Sequence, residues 1–265
     1  MKLSVIIVSY NVCDQLVRCL SALGDENEII IVDNASSDNS VDTIRSRFPF
    51  VRLIAWPKNR GFSAAVNCGV REASGDLILL LNPDTILQTE QLKKMPEAFI
   101  KDEDAVAIGF RQIDDDGNYQ LTIGPPPSLL LEIMRCLVQR RLDAGKHRIG
   151  RFIDNMLNHP RIVPWVAASV LLVKRQAFEQ INGFDEGFFL YFEDIDFCLR
   201  LRANGGKVYY DPTITVIHTR GASAKSTKKL AKKAYRESQI YYWRKYKGAL
   251  FYYLIKAYQR VFRLV

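Results

Sequence analysis

The sequence contains few of the residues that build disulfide frameworks and zinc sites. Its 265 residues include five cysteines and three histidines. The cysteines are scattered, form no C-x-x-C pair and are odd in number, so we expect neither a disulfide framework nor a zinc site. Free thiols of this kind are typical of a reducing compartment, and the expected location is therefore the cytoplasm.

Long apolar runs are also missing. Residues 1–8 carry one lysine and a short β-branched run, without the apolar region and small-residue cleavage site of a signal peptide. The run 249–255 has seven residues before Lys256, whereas a membrane span requires roughly 20 residues. We therefore predict a first strand at residues 3–8 and no transmembrane helix.

The common phosphate-binding motifs do not occur. There is no G-x-G-x-x-G after the first predicted strand and no G-x-x-x-x-G-K-[ST] anywhere. This argues against an ordinary Rossmann dehydrogenase and against a P-loop NTPase. A nucleotide phosphate would then need a metal ion in place of a glycine-rich cradle.

Positive charge is concentrated at the carboxyl end. The formal net charge is +8, and residues 220–265 hold 13 Lys and Arg against a single acid, Glu237. That segment carries +12, so the preceding 219 residues carry −4, the difference between the two values. A basic tail on a mildly acidic domain suggests an anionic partner for the tail.

Short apolar runs alternate with amphipathic segments. We predict strands at residues 3–8, 28–32, 52–55, 77–81, 105–110, 170–173 and 213–217. We predict helices at residues 14–23 with Asp14 as the cap, 41–48, 64–70, 91–99, 177–181 and from 193 onward. This order indicates an α/β fold with right-handed crossovers and a mostly parallel central sheet flanked by helices.

Polar residues follow the strands of this predicted sheet. The strand 77–81 stops at Asn82-Pro83-Asp84, and Asp33 and the Ser9-Tyr10-Asn11 segment follow two other strands. Because ligands bind at the carboxyl ends of strands in open α/β sheets, we expect these loops to converge. An oxygen ligand without nearby thiols suits Mg²⁺ or Mn²⁺, although Asn-Pro-Asp is also an ordinary turn sequence.

A second acidic cluster lies at residues 193–196, after a stretch rich in aromatic residues. Acids complement a helix N-terminus, and Asp196 can pair with Arg200 four residues later. That structural interpretation does not require Glu193 and Asp194, either of which could serve as a general base beside bulky aromatics.

His218 follows a predicted strand and is either structural or a metal ligand. The acidic run 114–116 precedes Gly-Asn and is interpreted as a solvated turn.

Taken together, these segments resemble bacterial family 2 glycosyltransferases, most closely the rhamnosyltransferase-like branch. The likeness runs in order from about residue 3 to residue 223. It rests on these segments: Val5–Asn11, Val32–Asp38, Asn59–Phe62, Gly75–Asp84, Gly183–Glu186, Tyr191–Asp196 and His218–Ser223. The resemblance implies a GT-A fold, inverting transfer from a nucleoside-diphosphate sugar, and a divalent cation, Mg²⁺ or Mn²⁺.

The resemblance also implies roles for individual residues on the donor side. Asp84 resembles the terminal acid of the D-x-D-type motif and would contact the metal, with His218 as a second metal or diphosphate contact. Asn82 stands where many relatives have Asp, which implies a weaker or water-mediated contact. The other implied donor contacts are Ser9, Tyr10, Asn11, Asp33, Asn34, Asn59, Arg60, Gly61 and Asp76.

On the acceptor side, Asp194 resembles the general base, with Glu193 as its neighbour. Trp165 and Tyr191 are the further implied acceptor contacts. Relatives often have Gly-Ala shortly after the tryptophan, whereas this sequence has Val166-Ala167-Ala168-Ser169. The added methyl group could narrow the donor-sugar pocket, which leaves the sugar open.

The sequence suggests a domain at residues 1–223, with a helical insertion on the acceptor side at 128–160, and a basic aromatic tail at 224–265. The tail either lies on an anionic membrane surface or packs on the domain with a solvated charged face. A membrane contact would place the protein on the inner face of the cell membrane. We expect no nucleic-acid binding, because the aromatics match no nucleic-acid motif.

The expected partners are a dTDP- or UDP-sugar donor and a glycan or polyprenyl-linked acceptor. Rhamnose transfer to a cell-surface polysaccharide or its lipid-linked precursor is the leading hypothesis. The alternatives are a UDP-hexose or UDP-galactofuranose donor, and a sugar-nucleotide-binding protein without turnover. Turnover is favoured because Asp84, Asp194 and His218 are all present.

Overall fold

The structure is a computed structural model that describes residues 1–101, 104–125, 147–219 and 228–262, together with residues 128, 131 and 138. Much of the predicted insertion at 128–160, the predicted domain boundary near 223 and the Arg220–Ser223 part of the last motif lie outside the described residues. The structural statements below concern the described part of the chain.

Strands and helices alternate through the first half, as the sequence pattern predicts. The strands are β1 (Leu3–Ser9), β2 (Glu28–Asp33), β3 (Arg52–Ala55), β4 (Leu77–Leu81), β5 (Thr85–Ile86), β6 (Ala105–Ile113), β7 (Tyr119–Gln120), β8 (Ile123–Gly124), β9 (Arg161–Ile162), β10 (Trp165–Val166), β11 (Val170–Lys174) and β12 (Lys207–His218). The helices are α1 (Cys13–Leu23), α2 (Ser40–Arg47), α3 (Phe62–Glu72), α4 (Thr89–Lys94), α5 (His147–Met156), α6 (Arg175–Gln180), α7 (Glu193–Ala203), α8 (Lys228–Lys247) and α9 (Ala249–Phe262).

The central sheet is mixed but mostly parallel. Its strand order is β3-β2-β1-β4-β11-β6-β12-β5. Strands β3, β2, β1 and β4 are parallel, β12 is parallel to β6, and β11 runs antiparallel to both β4 and β6. The register pairs Ser9 with Asp33, so the ends of β1 and β2 meet at one edge. The predicted sheet class is therefore confirmed.

Both faces of the sheet are covered by helices. Within β1, Val5 and Ile7 belong to one apolar core and Ile6 belongs to the other, because successive strand residues point to opposite faces. Helices α1, α2 and α4 supply the first core, and helices α3, α6, α7, α8 and α9 contribute to the second. Each fully buried aliphatic side chain contributes about 1.5–3 kcal/mol by leaving water.

The basic tail forms two helices that share the second core. Tyr242, Trp243 and Ile255 are buried there, and the Trp243 and Phe251 rings stack with centroids 5.5 Å apart. The structure therefore shows the tail packed on the domain, which is one of the two interpretations given for it. In the described part of the chain, no helix is long and apolar enough to span a membrane, and this includes α8 and α9.

Two local predictions were wrong. Asp14 lies in the first turn of α1 but does not cap it, because the helix begins after Val12 without a side-chain cap. The predicted helix 91–99 is divided into α4 and a 3₁₀ segment, Met95–Lys101, where Pro96 cannot donate a helical hydrogen bond. Burial raises the pKa of both the Cys19 and the Cys198 thiol to about 12.

Candidate active site

A cleft of about 750 Å³ opens at the carboxyl ends of β1, β2 and β4. Most of the residues singled out from the sequence line it. These are Tyr10, Asn34, Asn59, Gly61, Asn82, Asp84, Trp165, Tyr191, Glu193, Asp194 and His218. The expected convergence at one sheet edge follows from the parallel register, since each strand delivers its following loop to the same side.

The loop after β2 is tied to the loop before α3. Asn34 is buried, its Nδ2 donates to the Gly61 carbonyl at 3.0 Å, and its Oδ1 accepts the Arg60 N–H at 2.8 Å. Gly61 has φ of +88°, and a Cβ there would lie 2.6 Å from the Phe189 carbonyl oxygen. Only glycine fits this close approach without strain. These contacts join the loops after β2 and before α3 to the aromatic segment before α7.

Four other predicted donor residues lie beside the lining rather than in it. Ser9, Asn11, Asp33 and Arg60 are each adjacent in sequence to a lining residue. The Asp33 carboxylate is 1% exposed and accepts the Ser36 N–H at 2.9 Å and the Ser36 hydroxyl at 2.5 Å. These bonds fix the loop that presents Asn34 to the cleft.

Asp76 does not join the other predicted residues. It precedes β4, and its Oδ2 accepts the backbone N–H of Lys2 at 2.9 Å, before the start of β1. The cleft is at the other end of β4, and a strand of this length spans roughly 16 Å. Its assignment to the donor site was wrong, because ligands bind at the carboxyl ends of the strands in such sheets, whereas Asp76 precedes β4.

Three polar side chains from two strand ends meet on one wall of the cleft. Thr85 in β5 pairs with His218 at the end of β12, and the Thr219 N–H donates to the Asp84 carbonyl at 2.9 Å. This pairing brings the Nε2 atom of His218 to 3.3 Å from Asp84 Oδ1 and 3.4 Å from Asn82 Nδ2. Residues 82–84 are therefore both a turn after β4 and, together with His218, a polar wall of the cleft.

The donor atoms of this wall are compatible with a divalent cation. Asp84 and His218 are each 7% exposed, and neither Asp84 Oδ1 nor His218 Nδ1 has a hydrogen-bond partner among the described residues. A buried carboxylate oxygen without a partner is costly unless a cation or water reaches it. The described residues hold no cluster of three or more His, Cys, Asp or Glu that could bind a metal. Mg²⁺ and Mn²⁺ can bind with only one or two protein ligands, because phosphate oxygens and waters complete the coordination.

The same cleft is also lined by two adjacent carboxyl groups, Glu193 and Asp194, at the start of α7. The two residues before the helix, Tyr191 and Phe192, both have left-handed backbone, with φ of +71° and +66°. Glu193 is buried, and its Oε2 lacks a hydrogen-bond partner among the described residues. Burial and the neighbouring Asp194 charge raise the pKa of Glu193 well above its ordinary value. Asp194 Oδ1 accepts the Ile195 N–H at 2.8 Å.

Several lining residues were not predicted from the sequence. Leu230, Ala231 and Tyr235 reach the cleft from α8, which is remote in sequence from the other lining residues. No local motif marks them, and only the apolar positions within the basic tail could have suggested that one face of this helix is buried. Trp165 was predicted, and its indole Nε1 donates to the Pro125 carbonyl at 2.8 Å.

The family model for glycosyl transferase family 2 matches residues 4–180, and a model described as the N-terminal domain of galactosyltransferase matches residues 158–219. The chain is 29% identical over 236 residues to an N-acetylglucosaminyl-diphospho-decaprenol L-rhamnosyltransferase of Mycobacterium tuberculosis, covering 83% of this chain and 77% of the relative. It is 28% identical over 228 residues to the rhamnosyltransferase WbbL of Escherichia coli, covering 81% of this chain and 82% of the relative.

Solved structures share the fold at lower identity. A Pyrobaculum calidifontis mannosyltransferase, PcManGT, in complex with GDP-Man and Mn²⁺ has a TM-score of 0.59 and 17% identity, and the match covers 84% of this chain and 59% of that one. GalNAc-T7 with UDP, GalNAc and Mn²⁺ has a TM-score of 0.59 and 16% identity, covering 82% of this chain and 43% of that one. The family match covers more than half of the chain, and the architecture agrees with it. The chain therefore belongs to glycosyltransferase family 2 and is a nucleotide-sugar-dependent glycosyltransferase with the GT-A fold.

Proposed function

We propose that the protein is a metal-dependent inverting transferase that moves rhamnose from a dTDP-sugar to a hydroxyl group of a polysaccharide or its lipid-linked precursor. The observation that carries the proposal is one cleft lined by two chemically different groups. Asp84 with His218 would form its leaving-group wall, and Asp194 would belong to its acceptor wall. Direct displacement at a sugar carbon requires charge stabilisation on one side and a base on the other.

The leaving-group wall would hold the cation. Asp84 Oδ1 and the His218 ring are the proposed ligands, and Asn82 is close enough to orient a coordinated water or a phosphate oxygen. Bound there, Mg²⁺ or Mn²⁺ would neutralise the charge that develops on the departing diphosphate. The donor nucleoside would lie between the Tyr10 and Asn34 loops, with Asn59 and Gly61 closing the same side.

Asp194, rather than Glu193, is the proposed general base. Burial and the Asp194 charge raise the pKa of Glu193, which favours Glu193 as the member of the pair that holds a proton. Asp194 is then the ionised member and can accept the proton of the incoming hydroxyl. Two carboxyl groups with separated pKa values can thus divide the acid and base roles.

Rhamnose is proposed on two grounds. The two relatives described above are rhamnosyltransferases by name. In addition, Leu121, Ala167 and Ala168 give the cleft an apolar patch, which suits the methyl group of a 6-deoxy sugar. A hydroxymethyl group would lose hydrogen bonds to water against such a patch, although apolar pockets discriminate only about 100-fold against an added hydroxyl.

A donor and metal panel tests this proposal. Transfer to a short-chain N-acetylglucosaminyl-diphospho-polyprenol is measured with dTDP-rhamnose, UDP-glucose and UDP-galactofuranose, each with Mn²⁺, Mg²⁺ or EDTA. We expect transfer from dTDP-rhamnose only with a cation, and an inverted product linkage by NMR. Equal transfer rates with EDTA and with a cation would contradict metal dependence. Faster transfer from UDP-glucose or UDP-galactofuranose than from dTDP-rhamnose would contradict rhamnose as the donor sugar. Binding without turnover of any donor would favour the non-catalytic alternative.

A lipid-linked acceptor would bring the protein to a membrane surface, and α9 offers a suitable face. Leu250, Tyr253 and Leu254 are exposed at helical spacing, with exposed fractions of 69%, 68% and 45%. Lys256 follows them on the same helix. Apolar and aromatic side chains beside lysines are typical of helices that lie on anionic lipid, where each basic residue contributes about 1 kcal/mol.

Deleting the tail is a poor test of this membrane contact, since α8 and α9 supply buried core residues. A triple variant with serine at positions 250, 253 and 254 leaves that core intact. We expect wild-type protein, but not this variant, to float with phosphatidylglycerol vesicles, and neither to float with phosphatidylcholine alone. Equal flotation of the two proteins would exclude this face as the lipid contact.

A further inference from the structure

The helix α8 lies along the segment that carries the acidic pair. Residues Asp185–Asp196 lead into α7 and include both Glu193 and Asp194. The α8 side chains that contact this segment recur at helical spacing along one face, and they are Tyr235, Ser238, Tyr241, Tyr242, Lys245 and Tyr246. This face extends over about three turns of the helix.

Polar contacts tie both ends of the segment to α8. Ser238 Oγ donates to the Leu190 carbonyl at 2.8 Å, just before the left-handed residues. Lys245 Nζ donates to Asp185 Oδ2 at 2.7 Å and to Asp196 Oδ1 at 2.5 Å, so one ammonium group bridges the start and the end of the segment. Hydrogen bonds from Lys245 lower the pKa of Asp185 despite the opposing effect of burial.

Asp196 is the buried centre of this arrangement. Its side chain is fully buried and lies in the first turn of α7, two residues after Asp194. Besides Lys245, it accepts Arg200 Nε at 2.7 Å and the Tyr246 hydroxyl at 2.8 Å. A buried carboxylate demands several donors in defined positions, so the first turn of α7 is fixed relative to α8.

The backbone immediately before the acidic pair also requires support. Tyr191 and Phe192 adopt left-handed backbone, which costs of order 1–3 kcal/mol for each such residue and persists only where the surroundings impose it. Their rings pack against Tyr235 with centroids 5.7 and 5.5 Å apart, and Phe192 also packs against Tyr242 at 5.4 Å. The strained turn is therefore held in place by the same face of α8.

We propose that Lys245 is a positioning residue for Asp194, and that α8 holds the first turn of α7 so that the Asp194 carboxylate faces the cleft. The inference rests on the proposed role of Asp194 as the base. It gives the tail a function in catalysis that does not depend on lipid. Misplacement of a catalytic group by about 1 Å can reduce a rate by about 100-fold, so loss of this contact should be measurable.

The test compares Lys245→Met, Lys245→Arg and the matched control Lys247→Met, an exposed lysine on the same helix. Transfer is measured with dTDP-rhamnose and the short-chain diphospho-polyprenol acceptor, below the melting temperature of every variant. We expect kcat of Lys245→Met to fall about tenfold or more, with dTDP affinity and donor KM within twofold of wild type. Lys245→Arg should restore most of the loss, and Lys247→Met should match wild type. A kcat within twofold of wild type for Lys245→Met would overturn the proposal.

Two further variants separate this proposal from others. If Lys245→Met does not fold, Tyr246→Phe is the substitute, because it removes one hydrogen bond to Asp196 and retains the ring. A kcat of Tyr246→Phe equal to that of wild type would then count against the proposal that α8 positions Asp194. Lys245→Met added to Asp194→Asn should cause no further loss, because the lysine acts through that carboxylate. If the fold-losses in kcat of the two single variants multiply in the double variant, the positioning role is refuted. Near-normal transfer by Asp194→Asn alone would instead refute the assignment of the base.

Discussion

Replacing Glu193 by glutamine should change how the stability of the protein depends on pH. The Glu193 carboxyl is buried, its Oε2 has no hydrogen-bond partner among the described residues, and Asp194 is next to it. Burial and the Asp194 charge raise its pKa above the ordinary value of 4.5. The native state therefore keeps a proton that the unfolded chain loses as the pH rises through 4.5.

The magnitude follows from proton linkage. Between the unfolded and the native pKa, the native state binds one proton more than the unfolded chain, so the unfolding free energy falls by about 1.4 kcal/mol per pH unit. For a chain of 265 residues, an unfolding entropy of about 2.1 cal/mol/K per residue gives roughly 0.6 kcal/mol/K. Between pH 4.5 and the raised pKa of the native state, the melting temperature of the wild type relative to Glu193→Gln should therefore fall by about 2 °C per pH unit. Below pH 4.5 the difference should be constant.

Thermal melts from pH 4 to pH 8 provide the measurement. Other titrating groups are common to both proteins and cancel in the difference between their melting temperatures. Glu97→Gln is the matched control, because it makes the same substitution at an exposed glutamate. If the melting temperature of the wild type relative to Glu193→Gln instead stays constant or rises with pH, Glu193 ionises at least as easily in the folded protein as in the unfolded chain. The argument that Asp194 is the ionised member of the pair would then fail.

Three other substitutions test separate parts of the cleft. Asp194→Asn should retain dTDP binding, measured calorimetrically, and lose 10²- to 10⁴-fold in kcat, and near-normal transfer would exclude it as the base. Asp84→Asn should weaken Mn²⁺-dependent dTDP binding about tenfold or more, whereas an unchanged Mn²⁺ dependence would exclude it as a ligand. Gly61→Ala should destabilise the protein by about 1–3 kcal/mol and impair dTDP binding. Its control is Gly117→Ala, which has a similar φ but no atom within 4 Å of the added methyl, and equal effects would show that the contact with Phe189 is unimportant.

The local pattern was sufficient to predict most of the sheet. Apolar runs such as β4 and the helical spacing of α1 require no tertiary information, because burial on both faces of a strand or on one face of a helix leaves a direct trace in the sequence. The convergence at one edge of the loops that carry Ser9, Asp33 and Asp84 followed from parallel strand order alone. The likeness to family 2 glycosyltransferases, carried by the motifs, was likewise visible before any coordinates.

Other features depended on contacts between distant segments. The pairing of Thr85 with His218 joins residues more than 130 positions apart, and no local signal encodes it. The same is true of the α8 residues that reach the cleft, since a basic amphipathic helix can face lipid, solvent or protein.

The sequence by itself determined the order of strands and helices, the chemical groups at the strand ends and the family of the enzyme. These depend on side-chain periodicity and residue type, which are local properties. The tertiary structure alone decided that Lys245 bridges Asp185 and Asp196 and that Glu193 is buried beside Asp194. Ion-pair partners and the burial that shifts a pKa depend on which segments pack together, and packing between segments so far apart is a property of the whole folded chain.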